Sequence, residues 1–315
     1  MAQFTWTFDA PTGTYKSHAM SRKLYKQAVE ESVFADYVRP VTGFGKKQGD
    51  TVTLTRLARL TEPTDGTLSE GVQIPEDTWS MSTTSITVSE FGRAVPYTSL
   101  MEDLSEFDIE NPIQSALREQ LSLTLDTKIA ATFRAAKIKY APTGAASNNI
   151  ATNGTFGATA SSNLSTWHLE QISDYLYDTL YAPAWSGDDY VGIFRTLGIR
   201  GVMQDPAWEE WHKYTDPSSK FNQEVGRWEN IRLVKTNHNG ALRKRGTSSV
   251  LGEGVIFGQD AVAMAEVLTP ELRAAIPGDF GRSKAVAWYG ILNYGVIWDT
   301  GNAGQARIVH VGSLT

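Results

Sequence analysis

Phe91-Gly92-Arg93-Ala94-Val95-Pro96-Tyr97-Thr98-Ser99-Leu100, followed by Met101-Glu102-Asp103-Leu104-Ser105-Glu106-Phe107-Asp108, runs directly into the strongest helix signal of the chain. That helix is predicted to open at Asn111-Pro112, where Asn can cap and Pro suits the first turn. Ile113, Ala116, Leu117, Leu121, Leu125, Ile129 and Phe133 recur at helical spacing, and neither Gly nor Pro interrupts before Pro142. At 1.5 Å per residue, such a helix spans on the order of 40 Å, long enough to be the spine of its domain.

Upstream, Thr51-Val52-Thr53-Leu54-Thr55-Arg56 alternates polar and apolar residues as an exposed strand does. A matching segment returns at Thr78–Ser82 and Ser85–Val88, with an apolar phase shift between Met81 and Ile86 that predicts a bulge. Between them, turn formers accompany the acids Glu62, Asp65, Glu70, Glu76 and Asp77, and core formers are few. The expectation is a long hairpin. Isolated two-stranded hairpins are marginal in water, so this one needs a partner to lean on.

Further upstream, Leu24, Ala28, Val33 and Tyr37 predict an amphipathic helix from about 17 to 37 that Arg39-Pro40 terminates. The first residues carry no basic or apolar leader region. Instead Phe4, Trp6 and Phe8 alternate with polar residues, three aromatic anchors for the chain's own body or for a neighbouring subunit.

Downstream, residues 141–165 are rich in Ala, Thr, Asn, Gly and Ser and read as a loop or domain boundary. Helices then alternate with strands: a helix on Leu169, Ile172, Leu176 and Leu180; a strand at Tyr190–Phe194; a helix from about Thr196 broken at Asp205-Pro206. Strands follow at Ile231–Val234, Ser249–Leu251 and Val255–Phe257, with a helix started by Asp260, and strands close the chain at 285–288, 296–298 and 307–311. The class is mixed α+β.

Composition narrows function mainly by exclusion. Of the 315 residues, 41% are hydrophobic and 20% charged, too apolar for a disordered chain, and no apolar run is long enough to span a bilayer. Twenty-nine Lys plus Arg against 35 Asp plus Glu give a net charge of -6, the wrong sign for a protein with a basic nucleic-acid groove. The absence of cysteine removes disulfides, thiolate metal sites and thiol nucleophiles together.

Signatures of chemistry are missing as well. His18, His168, His212, His238 and His310 never approach metal-ligand spacing and read as surface or packing residues. Asp188-Asp189 reads as a solvated turn, Gly252-Glu253-Gly254 and Gly45-Lys46-Lys47 as turns, and no GxSxG elbow is present. Arg243-Lys244-Arg245 is the one basic cluster, and three charges in a loop read first as a solvated face. The ribbon acids are more informative, because they crowd a projection that needs support and can steer it onto a basic surface. No cofactor, metal or catalytic residue is expected.

The run from Phe91 to Asp108, the stretch Glu224-Val225-Gly226-Arg227-Trp228-Glu229-Asn230-Ile231-Arg232-Leu233-Val234-Lys235-Thr236-Asn237, and the closing strands from Gly281-Arg282-Ser283 resemble the major capsid proteins of tailed bacteriophages. This is the fold named after phage Hong Kong 97. The order of elements agrees with it, and the resemblance covers most of the chain. It implies an N-terminal arm and helix (1–42), an extended β-hairpin loop (43–95), a peripheral domain with the spine helix (96–165), an axial domain (166–284), and strands returning to the peripheral domain (285–315).

The family further implies a non-enzymatic shell protein in the virion, made in host cytoplasm and assembling as hexamers and pentamers around double-stranded DNA. The partners it implies are a portal protein, a decoration protein in some members and, with so short an arm, a separate scaffolding protein. Some members join subunits through a Lys-Asn isopeptide bond; no such chemistry is assigned here. Contact candidates between subunits are the arm aromatics, the ribbon acids with Trp79, and the basic cluster. An acidic coat can hold DNA without binding it tightly or by sequence, since phosphate affinity rises with each neutralising Lys or Arg. Alternative readings are an encapsulin nanocompartment shell and, from another class, a β-rich binding or hydrolytic domain.

Overall fold

A computed structural model describes residues 30–60, 62–63, 65–105, 109–212, 224–243 and 252–313. The arm residues Phe4, Trp6 and Phe8 and most of the helix expected over 17–37 lie outside them, as do Lys244, Arg245 and the strand expected at Ser249–Leu251. Of that helix, Phe34–Tyr37 forms one 3-10 turn.

The spine helix is Glu110–Arg134. Its 25 residues extend about 37 Å, and it starts one residue before Asn111, with no side-chain cap at Ile109. The helix bridges two sheets. Near its start, Ile113, Leu117 and Leu121 pack against Tyr97, Val286 and Trp288 of a four-stranded sheet. Trp288 Nε1 also donates to Gln120 Oε1 at 3.2 Å. Near its end, Ile129, Ala130 and Phe133 pack against Ile193, Val255 and Phe257 of a seven-stranded sheet.

The seven-stranded sheet has the order Ser147–Ala151, Ile138–Gly144, Ile308–Gly312, Glu253–Phe257, Tyr190–Arg195, Ile231–Thr236, Glu224–Trp228. Both faces are covered. Tyr190, Phe194, Ile256, Val309 and Val311 face a core that includes Leu169, Ile172 and Leu176 of the helix Thr166–Asp174. The alternate residues Val191, Ile193, Val255, Phe257 and Ile308 face the spine helix. Period-two alternation between two apolar cores makes these strands read as nearly continuous hydrophobic runs.

The four-stranded sheet has the order Arg39–Pro40, Val262–Ala274, Ser283–Val296, Ser89–Thr98. Pairing within this sheet changes the expectation at Asp260 and extends two others. Asp260 starts no helix: it occupies a turn at φ +54, and the Ala-, Met- and Leu-containing segment after it is a 13-residue strand. Arg39-Pro40 follows directly on the helical turn Phe34–Tyr37, as expected of a stop, and also pairs in parallel with Ala263 and Met264. The expected strands at 285–288 and near 296 are the body and end of one 14-residue strand. In the segment after Asp260, pairing along Ser283–Val296 outweighs local helix propensity.

Part of the 141–165 loop is strand, because Ile138–Gly144 pairs with Ile308–Gly312 on one side and Ser147–Ala151 on the other. Asp188-Asp189 is likewise no simple solvated turn. Asp189 is buried and paired with Arg227 at 2.7 Å and Arg232 at 2.8 Å.

Candidate assembly surfaces

The ribbon consists of Thr51–Leu57 paired antiparallel with Met81–Thr87, from Thr51↔Thr87 to Leu57↔Met81. No register shift interrupts it. The bulge inferred from the phase change is absent, because Met81 lies on the opposite face from Ile86, opposite exposed Leu57. Val52, Leu54 and Ile86 form the inward face and pack on Ala263 and Ala265 with Val41, Phe44 and Ile297. Gly295 makes this approach possible, since a Cβ there would lie 2.6 Å from Ile86 Cγ1.

Beyond this root, the described residues of the ribbon have no core. Glu62 is exposed with Arg59 as a 3.9 Å neighbour. Asp65 accepts from the Thr67 hydroxyl and, at 2.9 Å, from its backbone N–H, and those bonds lower its pKa. Glu76 meets Gln73 at 3.5 Å, and Glu70 and Asp77 face solvent. Trp79 is 59% exposed.

Sequence reading passed over the apolar half of this surface. Leu57, Leu60, Leu68, Val72, Ile74 and Met81 are also exposed. The signal was present, as large apolar residues between acids in a segment too thin to bury them. Exposed apolar groups concentrated on one projection mark an interaction surface.

A second exposed apolar group lies at the far end of the four-stranded sheet. The turn joining its two long strands carries Ile276 and Phe280, both almost wholly exposed. Beside it, the helix Ser99–Leu104 exposes Leu100, Met101 and Leu104. Ser99 N–H donates to Arg282 O at 3.0 Å, and Lys284 pairs with Glu102 at 2.7 Å, which holds helix and turn together. From Ala265↔Asn293 near the ribbon root to Ala274↔Val286 near this turn, the strand runs about 30 Å. The two apolar projections therefore point from opposite ends of the sheet.

Two buried polar nodes fix the framework. Asp126, fully buried on the spine helix, accepts from Ser32 Oγ at 3.0 Å, Val33 N–H at 3.1 Å and Phe34 N–H at 2.8 Å. His238 Nδ1 lies 2.7 Å from its other oxygen. Glu30 accepts from the Asn239 N–H at 3.1 Å, and Glu31 N–H donates to Asn237 Oδ1 at 2.8 Å. The segment from which the N-terminal residues depart is thus stapled to the spine helix and to the 237–239 turn.

In the second node, Glu253 meets Arg134 at 3.4 Å, accepts from the Arg243 N–H at 3.0 Å and lies 3.9 Å from the Arg243 side chain. Arg243 is therefore anchored at its base, although its side chain is largely exposed. Lys139 Nζ lies 3.0 Å from His310 Nδ1. Burial brings the Lys139 pKa down to about 8 against the pull of Glu253. Burial first, then Lys139, Arg134 and Arg243, holds His310 well below the ordinary value. His168 and His238 are buried too, so these three histidines are packing residues.

Among the described residues, no group of His, Asp and Glu is arranged to hold a metal ion, and no helix is long and apolar enough to cross a membrane.

The chain has the Hong Kong 97-like fold seen in solved tailed-phage capsids. The particular shells to which the chain is similar cover nearly all of it. The acidic stable capsid of Helicobacter pylori bacteriophage KHP30 matches with a TM-score of 0.72 at 12% identity over 99% of both chains. That of cyanophage Pam1 matches with a TM-score of 0.69 at 15% identity over 100% of both. The capsid of Ralstonia phage GP4 gives 0.67 at 15% identity over 99% of this chain and 98% of the other. No protein-family model matches the sequence, and no curated protein is similar to it in sequence.

Proposed function

We propose that this chain is a structural major capsid protein that self-assembles into the hexamers and pentamers of an icosahedral phage head enclosing double-stranded DNA. The observation that carries the reading is the ribbon: beyond Leu57 and Met81 its described residues project exposed apolar and acidic side chains with no core among them. Its support must come from another chain, as its composition requires. End-to-end similarity to three phage shells agrees with this role and favours a coat over an encapsulin-like compartment or a hydrolytic domain.

In this reading, residues 1–42 form the arm, 43–95 the extended loop over the neighbouring subunit, 96–165 and 285–315 the peripheral domain, and 166–284 the axial domain. Phe4, Trp6 and Phe8 anchor the arm between subunits. Glu62, Asp65, Glu70, Glu76, Asp77 and Trp79 form the ribbon's contact face, and Arg243, Lys244 and Arg245 are a basic counterpart. The protein acts without catalysis or cofactor. A scaffolding protein guides assembly in host cytoplasm, a portal and in some particles a decoration protein join the shell, and the DNA is held without sequence preference.

Sedimentation and negative-stain microscopy of the purified protein test the reading. Closed shells or capsomers are expected; a stable monomer that binds a small ligand overturns it. DNA inside particles from the natural source separates a phage head from a protein-filled compartment.

A further inference from the structure

Where the ribbon root meets the body there is a half-open cavity of about 350 Å³. The ribbon contributes Thr55 and Arg56 to its lining, and the body contributes Arg39, Asp260, Trp298 and Arg307. Among the described residues, three guanidinium groups face a single carboxylate, an excess of two positive charges. Asp260 pairs with Arg39 and lies 3.6 Å from Arg307 Nη1, so one anion is shared between two cations.

The hydrogen-bond inventory is also incomplete. Arg56 Nη1 donates to Ile297 O at 3.2 Å and Arg307 Nη1 to Gln259 O at 3.0 Å. The Nε atoms of both arginines are shielded from solvent and have no acceptor. The two guanidiniums lie 5.6 and 5.2 Å from the centre of the Trp298 ring, which stabilises their charge without accepting in-plane N–H bonds. Burial lowers the Arg307 pKa, Asp260 opposes this, and Arg39 adds to it. An excess of clustered cationic donors is costly to leave unpaired and matches the planar, forked recognition of oxyanions.

We propose that this cavity is an oxyanion site, in which a phosphate or carboxylate group accepts hydrogen bonds from Arg39, Arg56 and Arg307. Because one wall belongs to the ribbon and the others to the body, the bound anion ties the ribbon root to the four-stranded sheet. All three arginines belong to one chain, so the site can be tested apart from shell assembly.

The test is calorimetric titration of isolated subunits with inorganic phosphate at low ionic strength, with amide exchange of Thr53–Leu57 as a second readout. Saturable binding and slower exchange at the ribbon root are expected. Arg39→Gln, at the exposed rim, keeps the fold and should weaken binding about tenfold, the loss of one charge-assisted contact. Asp260→Asn removes the competing carboxylate, and Asn tolerates the left-handed φ of +54 found there, so binding should tighten. Absence of saturable binding, affinity unchanged in Arg39→Gln, or weaker binding by Asp260→Asn overturns the assignment. Titration of assembled particles identifies the source: phosphate binding lost on assembly means that a neighbouring copy's carboxylate fills the site, and binding retained means a free oxyanion does.

Discussion

Replacing Asp126 should release the N-terminal segment from the spine helix. Val33 and Phe34 are buried, and their backbone N–H groups reach Asp126 Oδ1 at 3.1 and 2.8 Å. Alanine leaves both without an acceptor. At about 1–3 kcal/mol for each stranded donor, reduced by whatever water enters the vacated space, Asp126→Ala should cost about 3 kcal/mol. Asparagine retains an acceptor oxygen for all three donors from residues 32–34, and its amide can donate to His238 Nδ1 in the tautomer whose hydrogen is on Nε2, so Asp126→Asn should cost about 1 kcal/mol. Ser32→Ala removes one hydroxyl that water can replace and should cost under about 1 kcal/mol. The assay is amide exchange at Val33 and Phe34 in isolated subunits, with denaturant unfolding alongside. A local loss of 3 kcal/mol speeds exchange on the order of a hundredfold. Unchanged exchange in Asp126→Ala would falsify the staple, and an Asn variant as damaged as the Ala variant would show that charge, not acceptor geometry, is what matters.

Reversal of Glu70, Glu76 and Asp77 to Lys should impair assembly while leaving the subunit's unfolding midpoint unchanged, because all three are solvent-exposed; normal particle yield in sedimentation refutes their role. Ile86→Ala empties the packing between ribbon and sheet and should cost about 2–4 kcal/mol, expressed as faster proteolysis within residues 43–88 and not as global unfolding. The pH dependence has a definite sign. With the folded His310 pKa well below 6.5, the unfolded chain binds more protons as pH falls through 6.5, so the stability that neutral His310 allows is present above that value and lost below it. The advantage of wild type over His310→Gln in thermal unfolding should therefore shrink between neutral pH and about pH 5; an advantage that grows on acidification contradicts the burial of a neutral imidazole.

Much of the framework is legible along the chain. Leu117, Ile129 and Phe133 mark the spine helix because 3.6-residue periodicity survives translation into a buried face. Tyr190–Phe194 and Val255–Phe257 stand out because a strand buried on both sides is apolar throughout. The ribbon and its need for support follow from alternation in a segment with too little core. Asp126 gave no such signal: a lone acid in a helix reads as solvent-facing, and its partners are 92–112 residues away in sequence. The segment after Asp260 misleads for a related reason, since its helix-forming residues become strand only where Ser283–Val296 pairs alongside them.

The periodic elements, the order in which they follow one another, the acidity of the ribbon and the absence of cysteine chemistry are legible in the chain alone. These depend on side-chain type and short-range spacing, which the chain carries locally. Which buried polar groups meet, that Arg39 and Arg307 share Asp260 beside Arg56 at the ribbon root, and that two apolar projections leave the sheet at opposite ends are visible only in the folded chain. Those facts arise from contacts across tens to hundreds of residues, where the free energy of pairing and burial outweighs local preference and no single segment records its partner.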